Sequence, residues 1–356
     1  MAYSHGRFHR RFRRVGIPLR VASAVLIVAA AHVVLAAANT PSLRAFWIAP
    51  SSMSSTLSIR RAISSAVSSG YDAVIAPLAL GSRTDSDAFD AEAELLREAR
   101  ERGLAAHLSV TVNIAAAADE LPASRDHVIY QHPEWLMVPR QIAAEMLKLD
   151  PRSPAYLGQI ARWTRANADR VEGLYVSPLD PAAAMYLADA VISAVGRYGV
   201  DGVYLDAVEF PGEDFDYSRR AIDLFSTRMR SVMSLVEKAR LDEIEAIDPF
   251  AYAEEFPDEW RRFRESALTD LLERVRNGLS NKTPAMSIAA GARADADASL
   301  TQHFQAWRAW LDRGIVDRVG YHSRSTGTVL LSADGVFASV PETPSAVQAA
   351  GAGGPR

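Results

Sequence analysis

Six carboxylates lie within one short stretch of the sequence, VDGVYLDAVEFPGEDFDYS, which begins at Val200. Carboxyl groups held beside a substrate can exchange protons with it, so this stretch could supply acid/base chemistry. Side-chain alternation along a strand places Val203 and Leu205 on one face and Tyr204 and Asp206 on the other. In a barrel, Asp206 would point to the axis at the carboxyl end of its strand, where barrel enzymes hold catalytic groups. The competing interpretation is that Asp206 caps a loop or pairs with an arginine.

Other acidic residues are weaker candidates for chemistry. Glu213, Asp214 and Asp216 fall in a loop-like segment, where acidic side chains more often anchor turns or face solvent. Asp295 and Asp297 follow another apolar run, AMSIAAG, and are a further candidate position for a second carboxylate.

The elements that must position these residues repeat one pattern: a helical stretch, a glycine, and a short apolar strand. The pattern occurs in RRAISSAVSSGYDAVIAPLAL, AEAELLREARERGLAAHLSVTVN, AMYLADAVISAVGRYGVDGVYLDAV and FQAWRAWLDRGIVDRVGYHS. We expect Gly70, Gly103, Gly199 and Gly314 to end their helices in the left-handed conformation. Alternating helices and nearly continuous apolar strands indicate an α/β fold with a parallel sheet. Counting a strand at GLYVSP, six to eight units favour a (β/α)8 TIM-type barrel.

The N-terminal 38 residues have the layout of a signal peptide: a basic leader, an apolar run, and small residues at Ala36–Ala38. The alternative is an uncleaved membrane anchor. The 39 basic residues include six arginines of this leader, so 33 remain against 43 acidic residues. A net charge near −10 argues against nucleic acid as a partner. The absence of cysteine excludes disulfides and thiol chemistry, and we expect a secreted or periplasmic bacterial protein.

Several long strings of the sequence point to one family. They are RAFWIAPSSMSS, LPASRDHVIYQHPEWLMVPR, LDPRSPAYLGQIARWTRANADRVEGLYVSP, RYGVDGVYLDAVEFPGEDFDYS, DEWRRFRESALTDLL and FQAWRAWLDRGIVD. In these strings the chain resembles the bacterial glycosyl-hydrolase-like family ten, from about Arg44 to Tyr321. The resemblance implies a TIM barrel that hydrolyses a polysaccharide, with bacterial envelope glycans among the expected substrates.

The chain also departs from the family pattern. Where the family has histidine-leucine-aspartate-tyrosine and then an arginine, this chain has Tyr204–Ala207 and then Glu209. At the end of the second strand, Ala76, Leu78 and Leu80 replace residues that are usually glutamine and arginine, whereas Asn113 matches the family.

The family barrel continues well beyond its sixth strand, but only 35 residues follow Tyr321 in this chain. We therefore expect a barrel that is incomplete or atypically closed at its C-terminal end, with TGTVLLSADG as a closing strand. The predicted organisation is a signal peptide at 1–38, a barrel domain at 39–335 and a disordered tail at 336–356.

Glycoside hydrolysis normally uses two carboxyl groups on either side of the scissile bond. Asp206 is the first candidate and Glu209 the second. Sugar sites add aromatic and hydrogen-bonding side chains, for which the candidates are Trp47, Asn113, Tyr204, Trp135 and His322. Trp135 has the alternative of packing a loop onto the barrel. The histidines show no metal-ligand spacing, so neither a metal nor a cofactor is expected.

Three hypotheses follow from the sequence. The first is an exported glycosidase-like barrel with Asp206 as acid/base or as stabiliser of an oxocarbenium-like transition state. The second is a glycan-binding barrel that has lost catalysis, and the third is an inactive truncated homologue.

Overall fold

The computed structural model describes residues 42–78, 89–293, 295–323 and 327–336. The predicted signal peptide, Leu80 and the predicted tail apart from Val336 lie outside the described residues. None of the helices in these ranges combines the length and apolar character needed to cross a membrane.

Nine strands are present in the described ranges. They are β1 Leu43–Trp47, β2 Ala73–Pro77, β3 Ala105–Thr111, β4 Ile114–Ala116, β5 Leu174–Tyr175, β6 Gly202–Asp206, β7 Ser287–Gly291, β8 Arg318–Ser323 and β9 Thr328–Ser332. Seven of them form a closed barrel in the order β1-β2-β3-β6-β7-β8-β9. The strands β1, β2, β3, β6, β7 and β8 run parallel to their neighbours in this series.

The barrel is closed by β9, which is antiparallel to both β8 and β1. Leu331 of β9 lies opposite Leu43 of β1 and opposite Gly320 of β8. The predicted TIM-type α/β barrel with atypical C-terminal closure is therefore confirmed. The circumference is complete, with seven strands where the sequence predicted eight.

The missing strand is explained by β5, which contains the predicted GLYVSP strand. It pairs with β4 in a separate two-stranded sheet, so β3 hydrogen-bonds directly to β6. Since β4 follows β3 after two residues, this small sheet extends from the carboxyl end of the barrel. The chain before β5 is thereby brought to the mouth.

Twelve α-helices surround and cover the barrel in the described part of the chain. They are α1 Thr56–Ser68, α2 Ala91–Glu101, α3 Val128–Gln131, α4 Arg140–Met146, α5 Pro154–Ala166, α6 Pro181–Val195, α7 Arg219–Arg230, α8 Leu235–Glu245, α9 Ala251–Glu255, α10 Pro257–Lys282, α11 Ala296–His303 and α12 Trp307–Asp312. Gly70, Gly103 and Gly314 adopt the predicted left-handed conformation. Gly199 does not, because α6 ends earlier, at Val195.

The strands divide the apolar residues between two cores. Val203 and Leu205 of β6 belong to the large core between barrel and helices. Tyr204 belongs to a smaller core inside the barrel, with Ala45, Ala73, Ile75, Ala289, Val329 and Leu331. The predicted orientation of the two faces of β6 is thus confirmed, and the small alanines leave room inside a narrow barrel for one large ring.

Candidate active site

A cavity of about 400 Å³ opens at the carboxyl ends of the barrel strands. Its lining comes from the ends of β6, β7 and β8 and from the segments that follow them, together with the chain before β5. The lining residues are Glu172, Tyr204, Asp206, Ala207, Glu209, Gly291, Ala292, Arg293, Gln305, Tyr321 and His322. Three carboxylates from two separate parts of the sequence therefore face one space.

The floor of the cavity is the ring of Tyr204, which is 2% exposed. Its hydroxyl donates a hydrogen bond to the carbonyl oxygen of Gly320 at 3.4 Å. Burial, and then the charges of Asp206 and Glu209, raise the pKa of the Tyr204 phenol well above its ordinary value. The hydroxyl therefore stays protonated at neutral pH, with its single proton directed at the Gly320 carbonyl.

Two glycines make space for this ring. A Cβ atom on Gly320 would lie 2.3 Å from Cε2 of Tyr204. A Cβ atom on Gly291 would lie 2.9 Å from the Tyr204 hydroxyl and 3.1 Å from Oδ1 of Asp206. The absence of side chains on β7 and β8 at this level thus lets the phenol and the carboxylate share the floor.

Asp206 is the last residue of β6, and a hydrogen bond from the segment after β3 holds its backbone. The amide of Val112 donates to the Asp206 carbonyl at 2.9 Å. The next residue, Ala207, has a left-handed φ of 50°, which is uncommon for a residue other than glycine. The amide of Asn113 donates to the Ala207 carbonyl at 3.3 Å, so hydrogen bonds from the two residues after β3 hold the turn that follows Asp206.

Glu209 forms a two-pronged ion pair with Arg293. Nη2 of Arg293 lies 3.0 Å from Oε1 of Glu209, and Nε lies 3.3 Å from Oε2. The carboxylate side chain is 11% exposed, whereas the Arg293 side chain is 48% exposed. Both oxygens of Glu209 are therefore directed at a guanidinium that reaches the cavity from the end of β7.

Glu172 is the carboxylate that sequence reasoning missed. It is exposed, and it precedes β5 in the small sheet above the barrel. The neighbouring Gly173 lies so close to β4 that a Cβ would be 2.4 Å from the carbonyl oxygen of Ala116, which fixes the backbone beside Glu172. The phenol of Tyr175 lies near both glutamates. Burial is the largest cause that raises its pKa, and the charges of Glu209 and Glu172 raise it further.

Trp47 and His322 form an aromatic pair beside the ring of Tyr204. Their rings are stacked with centroids 4.4 Å apart, and Trp47 meets the Tyr204 ring edge-on at 6.0 Å. His322 lines the cavity and Trp47 supports it from the end of β1. The structure therefore brings together five predicted site residues, Trp47, Tyr204, Asp206, Glu209 and His322.

The chain is similar to a known protein family. A family model described as Glycosyl hydrolase-like 10 matches residues 71–323. The chain belongs to the glycosyl hydrolase-like 10 family. This range contains β2 to β8 and all eleven cavity-lining residues. No curated protein sequence matches the chain.

Two solved structures of glycoside hydrolases are similar to this chain. The PgaB (BpsB) glycoside hydrolase domain from Bordetella bronchiseptica is 13% identical, with a TM-score of 0.47 over 79% of this chain and 74% of that one. The β-galactosidase from the psychrophilic Marinomonas ef1 is 9% identical, with a TM-score of 0.50 over 79% of this chain and 40% of that one. The chain spans about two fifths of this β-galactosidase. Membership in the glycosyl hydrolase-like 10 family, together with this fold, supports a glycosidase-like function.

Three predicted binding residues do not line the cavity of this glycosyl hydrolase-like 10 protein: Trp47, which stacks on the lining residue His322, and Asn113 and Trp135, which lie elsewhere. Asn113 is fully buried, and its Nδ2 donates to the carbonyl of Val176 at 3.1 Å, so it braces β5 against β3. Trp135 stacks on His132 with ring centroids 3.8 Å apart and contacts Tyr186 at 5.7 Å. Its position matches the alternative of a loop packed onto the fold.

The remaining acidic candidates have structural contacts. Asp216 is fully buried and accepts hydrogen bonds from the amides of Val138 and Ser218, both at 2.8 Å. Asp295 is the N-cap of α11 and accepts from the amides of Asp297 and Ala298. In this member of the glycosyl hydrolase-like 10 family, the carboxylates that reach the cavity are therefore Glu172, Asp206 and Glu209.

Proposed function

We propose that the protein is an exported glycoside hydrolase that cleaves a polysaccharide by carboxylate chemistry, with bacterial envelope glycans as the substrate class. The observation that supports it best is the position of Asp206, on the floor of a cavity at the carboxyl end of a barrel and beside two further carboxylates. The protonated phenol of Tyr204 donates to the Gly320 carbonyl, and its oxygen can accept a hydrogen bond from a sugar hydroxyl.

In the proposed mechanism, Asp206 acts on the reacting sugar from the floor of the cavity. It serves as acid/base or stabilises the positive charge that develops at the anomeric carbon of an oxocarbenium-like transition state. Tyr204 and the stacked pair of Trp47 and His322 supply the wall against which a sugar ring can lie.

The second carboxyl group is assigned from the ion pair of Glu209 and from the position of Glu172 in the cavity lining. A proton donor must present an oxygen to the leaving group, and both oxygens of Glu209 are engaged by Arg293. Glu172 comes from a different wall, the segment that covers the mouth. We therefore propose Glu172 as the second catalytic carboxylate, with the pair of Glu209 and Arg293 as a fixed charge in the site.

The test is hydrolysis by the purified protein of a panel of bacterial and plant polysaccharides, with new reducing ends counted. We expect release by the parent protein and a loss of at least about 100-fold in Asp206→Asn, the scale of a general acid/base contribution. Asp297→Asn is the matched control, because that side chain is 94% exposed and lies outside the cavity. Equal release by the two variants would contradict the assignment.

Two further variants distinguish the roles of Glu172 and Glu209. Glu172→Gln should reduce the rate as strongly as Asp206→Asn, and the pH–rate profile should lose one limb. Glu209→Gln should reduce it less. The reverse order would make Glu209 the second carboxylate, as the sequence predicted.

The competing function is glycan binding without turnover, which the engagement of Glu209 by Arg293 favours. No release from any polysaccharide by a cooperatively folded parent, together with saturable binding of one of them, would establish it. Export is tested separately, by recovery of the protein outside the cytoplasm of a bacterial host and by N-terminal sequencing of the product.

A further inference from the structure

A second cavity, of about 450 Å³, lies beside α10. Pro257, Trp260, Arg261 and Arg264 form one wall, at the three- and four-residue spacing of a single helix face. It shares no lining residue with the candidate active site. Its volume falls within the range of small-molecule sites, roughly 300–1,000 Å³.

The innermost charged group of this cavity is the guanidinium of Arg264, whose residue is 5% exposed. Nη1 donates to the carbonyls of Glu213, at 2.6 Å, and Phe215, and Nε donates to the carbonyl of Trp260 at 3.3 Å. Phe304 lies against the guanidinium at 4.1 Å. Backbone carbonyls thus hold two of its three nitrogen atoms.

The third nitrogen has no acceptor within the described chain. Arg264 makes no ion pair with any carboxylate of the described residues, and Nη2 donates no hydrogen bond there. Burial lowers the pKa of the guanidinium to about 10, so it remains charged at neutral pH. The guanidinium is thus hydrogen-bonded to backbone carbonyls alone, whereas proteins normally pair a buried charge with an opposite charge.

One turn earlier on α10, Trp260 presents a second donor. The residue is 1% exposed, and its Nε1 is buried with no acceptor among the described residues. Two residues that line the cavity from one helix face, Trp260 and Arg264, therefore each keep a donor atom with no acceptor among the described residues. An occupant that carries a carboxylate could satisfy both of them.

The acidic residues of the lining do not fill this role. Asp214 is engaged at the rim by Arg170 at 3.2 Å and by Gln141 at 2.6 Å. The Asp258 side chain is 77% exposed, and Glu213 is also exposed. Negative charge thus lies at the entrance and the donors lie on α10, so an anionic ligand would place its charge at Arg264 and away from the carboxylates of the rim.

We propose that this cavity is a second binding site, which takes the carboxylate of a small molecule the size of one sugar ring. A sugar acid is the preferred source, since the volume exceeds what a simple ion requires. The cavity adjoins the candidate active site through consecutive residues, because Phe304 lines the one and Gln305 lines the other. The proposal depends on binding alone and stands whether or not the protein proves to be a hydrolase.

The test is calorimetric titration of the full-length protein with three compounds at low ionic strength. D-glucuronate carries ring and carboxylate, D-glucose carries the ring alone, and acetate carries the carboxylate alone. We expect glucuronate to bind at least about tenfold more tightly than glucose. Binding of acetate as tight as that of glucuronate would assign the site to small carboxylates in general. Glucuronate binding no tighter than that of glucose would overturn the proposal.

The location of the binding site is tested by substitutions at the cavity rim, which should leave folding intact. Thr301 is exposed and lines the cavity, so Thr301→Glu places a negative charge at the entrance. Relative to the neutral control Thr301→Gln, it should weaken glucuronate binding about three- to tenfold, as expected for charges several ångströms apart near a surface. Arg264→Gln, if it unfolds cooperatively, should abolish binding. Equal affinities of the two Thr301 variants, or loss of binding in Arg293→Gln instead, would overturn the proposal.

Discussion

The substitution Gly320→Ala tests whether the floor of the active site is set by contact between β8 and Tyr204. The new Cβ would lie 2.3 Å from Cε2 of Tyr204, about 1.1 Å inside the 3.4 Å at which ordinary contact begins. It would also lie 3.0 Å from Cδ2 of Leu331. Since Tyr204 is enclosed in the barrel core, its ring cannot move aside without displacing other strands.

The expected magnitude follows from two opposing effects. Overpacking of a well-packed core costs about 1–3 kcal/mol. Loss of backbone freedom in the unfolded chain favours alanine over glycine by about 0.4–1 kcal/mol, and Gly320 has no positive φ that would oppose alanine. The net loss should be about 1–2 kcal/mol, seen as a Tm lower by roughly 2–6 °C in calorimetry.

The same substitution in a Tyr204→Leu protein tests whether contact with the tyrosine ring causes the loss of stability. In a Tyr204→Leu protein the ring is absent, so Gly320→Ala should lower the free energy of unfolding by less than about 0.5 kcal/mol, within the scatter of additive mutations. Gly202→Ala is the matched control, because its Cβ would meet the His107 ring at 2.4 Å and not Tyr204. Its effect should be the same in both backgrounds. If Gly320→Ala were equally destabilising with and without the tyrosine ring, the steric explanation would be refuted.

Three further predictions concern stability, each measured by urea unfolding. Asp295→Ala removes the N-cap of α11 and should destabilise the protein by about 0.5–2 kcal/mol, whereas Asp297→Ala should have almost no effect. Burial lowers the pKa of His107 to about 4, below its ordinary 6.5, so the neutral ring favours the folded state above pH 6.5 and this contribution is lost as the pH falls to about 4. As the pH falls from 6.5 to about 4, the His107→Leu protein should therefore lose less stability than the parent. Parallel plots of unfolding free energy against pH for the two proteins would contradict this. A double-mutant cycle of Glu209→Gln and Arg293→Gln should give a coupling energy no larger than about 1 kcal/mol, because the arginine is half exposed; several kcal/mol would mean a desolvated pair.

Much of the site could be predicted from local pattern. The alternation in VYLD is sufficient to orient Tyr204 and Asp206, because a strand has a period of two whichever sheet it joins. His322 lies near the carboxyl end of β8, which runs parallel to β7, so it reaches the same end of the barrel as Asp206. These inferences need only the strand and its direction.

The pairings between distant segments could not be predicted in this way. Glu172 reaches the cavity because β5 leaves the barrel to pair with β4, and a two-residue strand carries too little pattern to reveal its partner. Arg293 and Glu209 are 84 residues apart, and their contact depends on β6 and β7 being neighbours. The direction of β9 is likewise set by its short hairpin with β8, and not by the composition of TVLLS.

The closing strand has a consequence for how the protein folds. Leu43 pairs with Leu331, so the two edges of the sheet join only when the first and last strands of the barrel meet. Contacts of such large sequence separation slow folding, because loop closure precedes any gain from pairing. Until residue 332 is available, β1 and β8 each present an unpaired edge that could join another chain. We therefore expect slow, chaperone-dependent folding, and expect variants that weaken β9 to aggregate during synthesis before they show any loss of stability once folded.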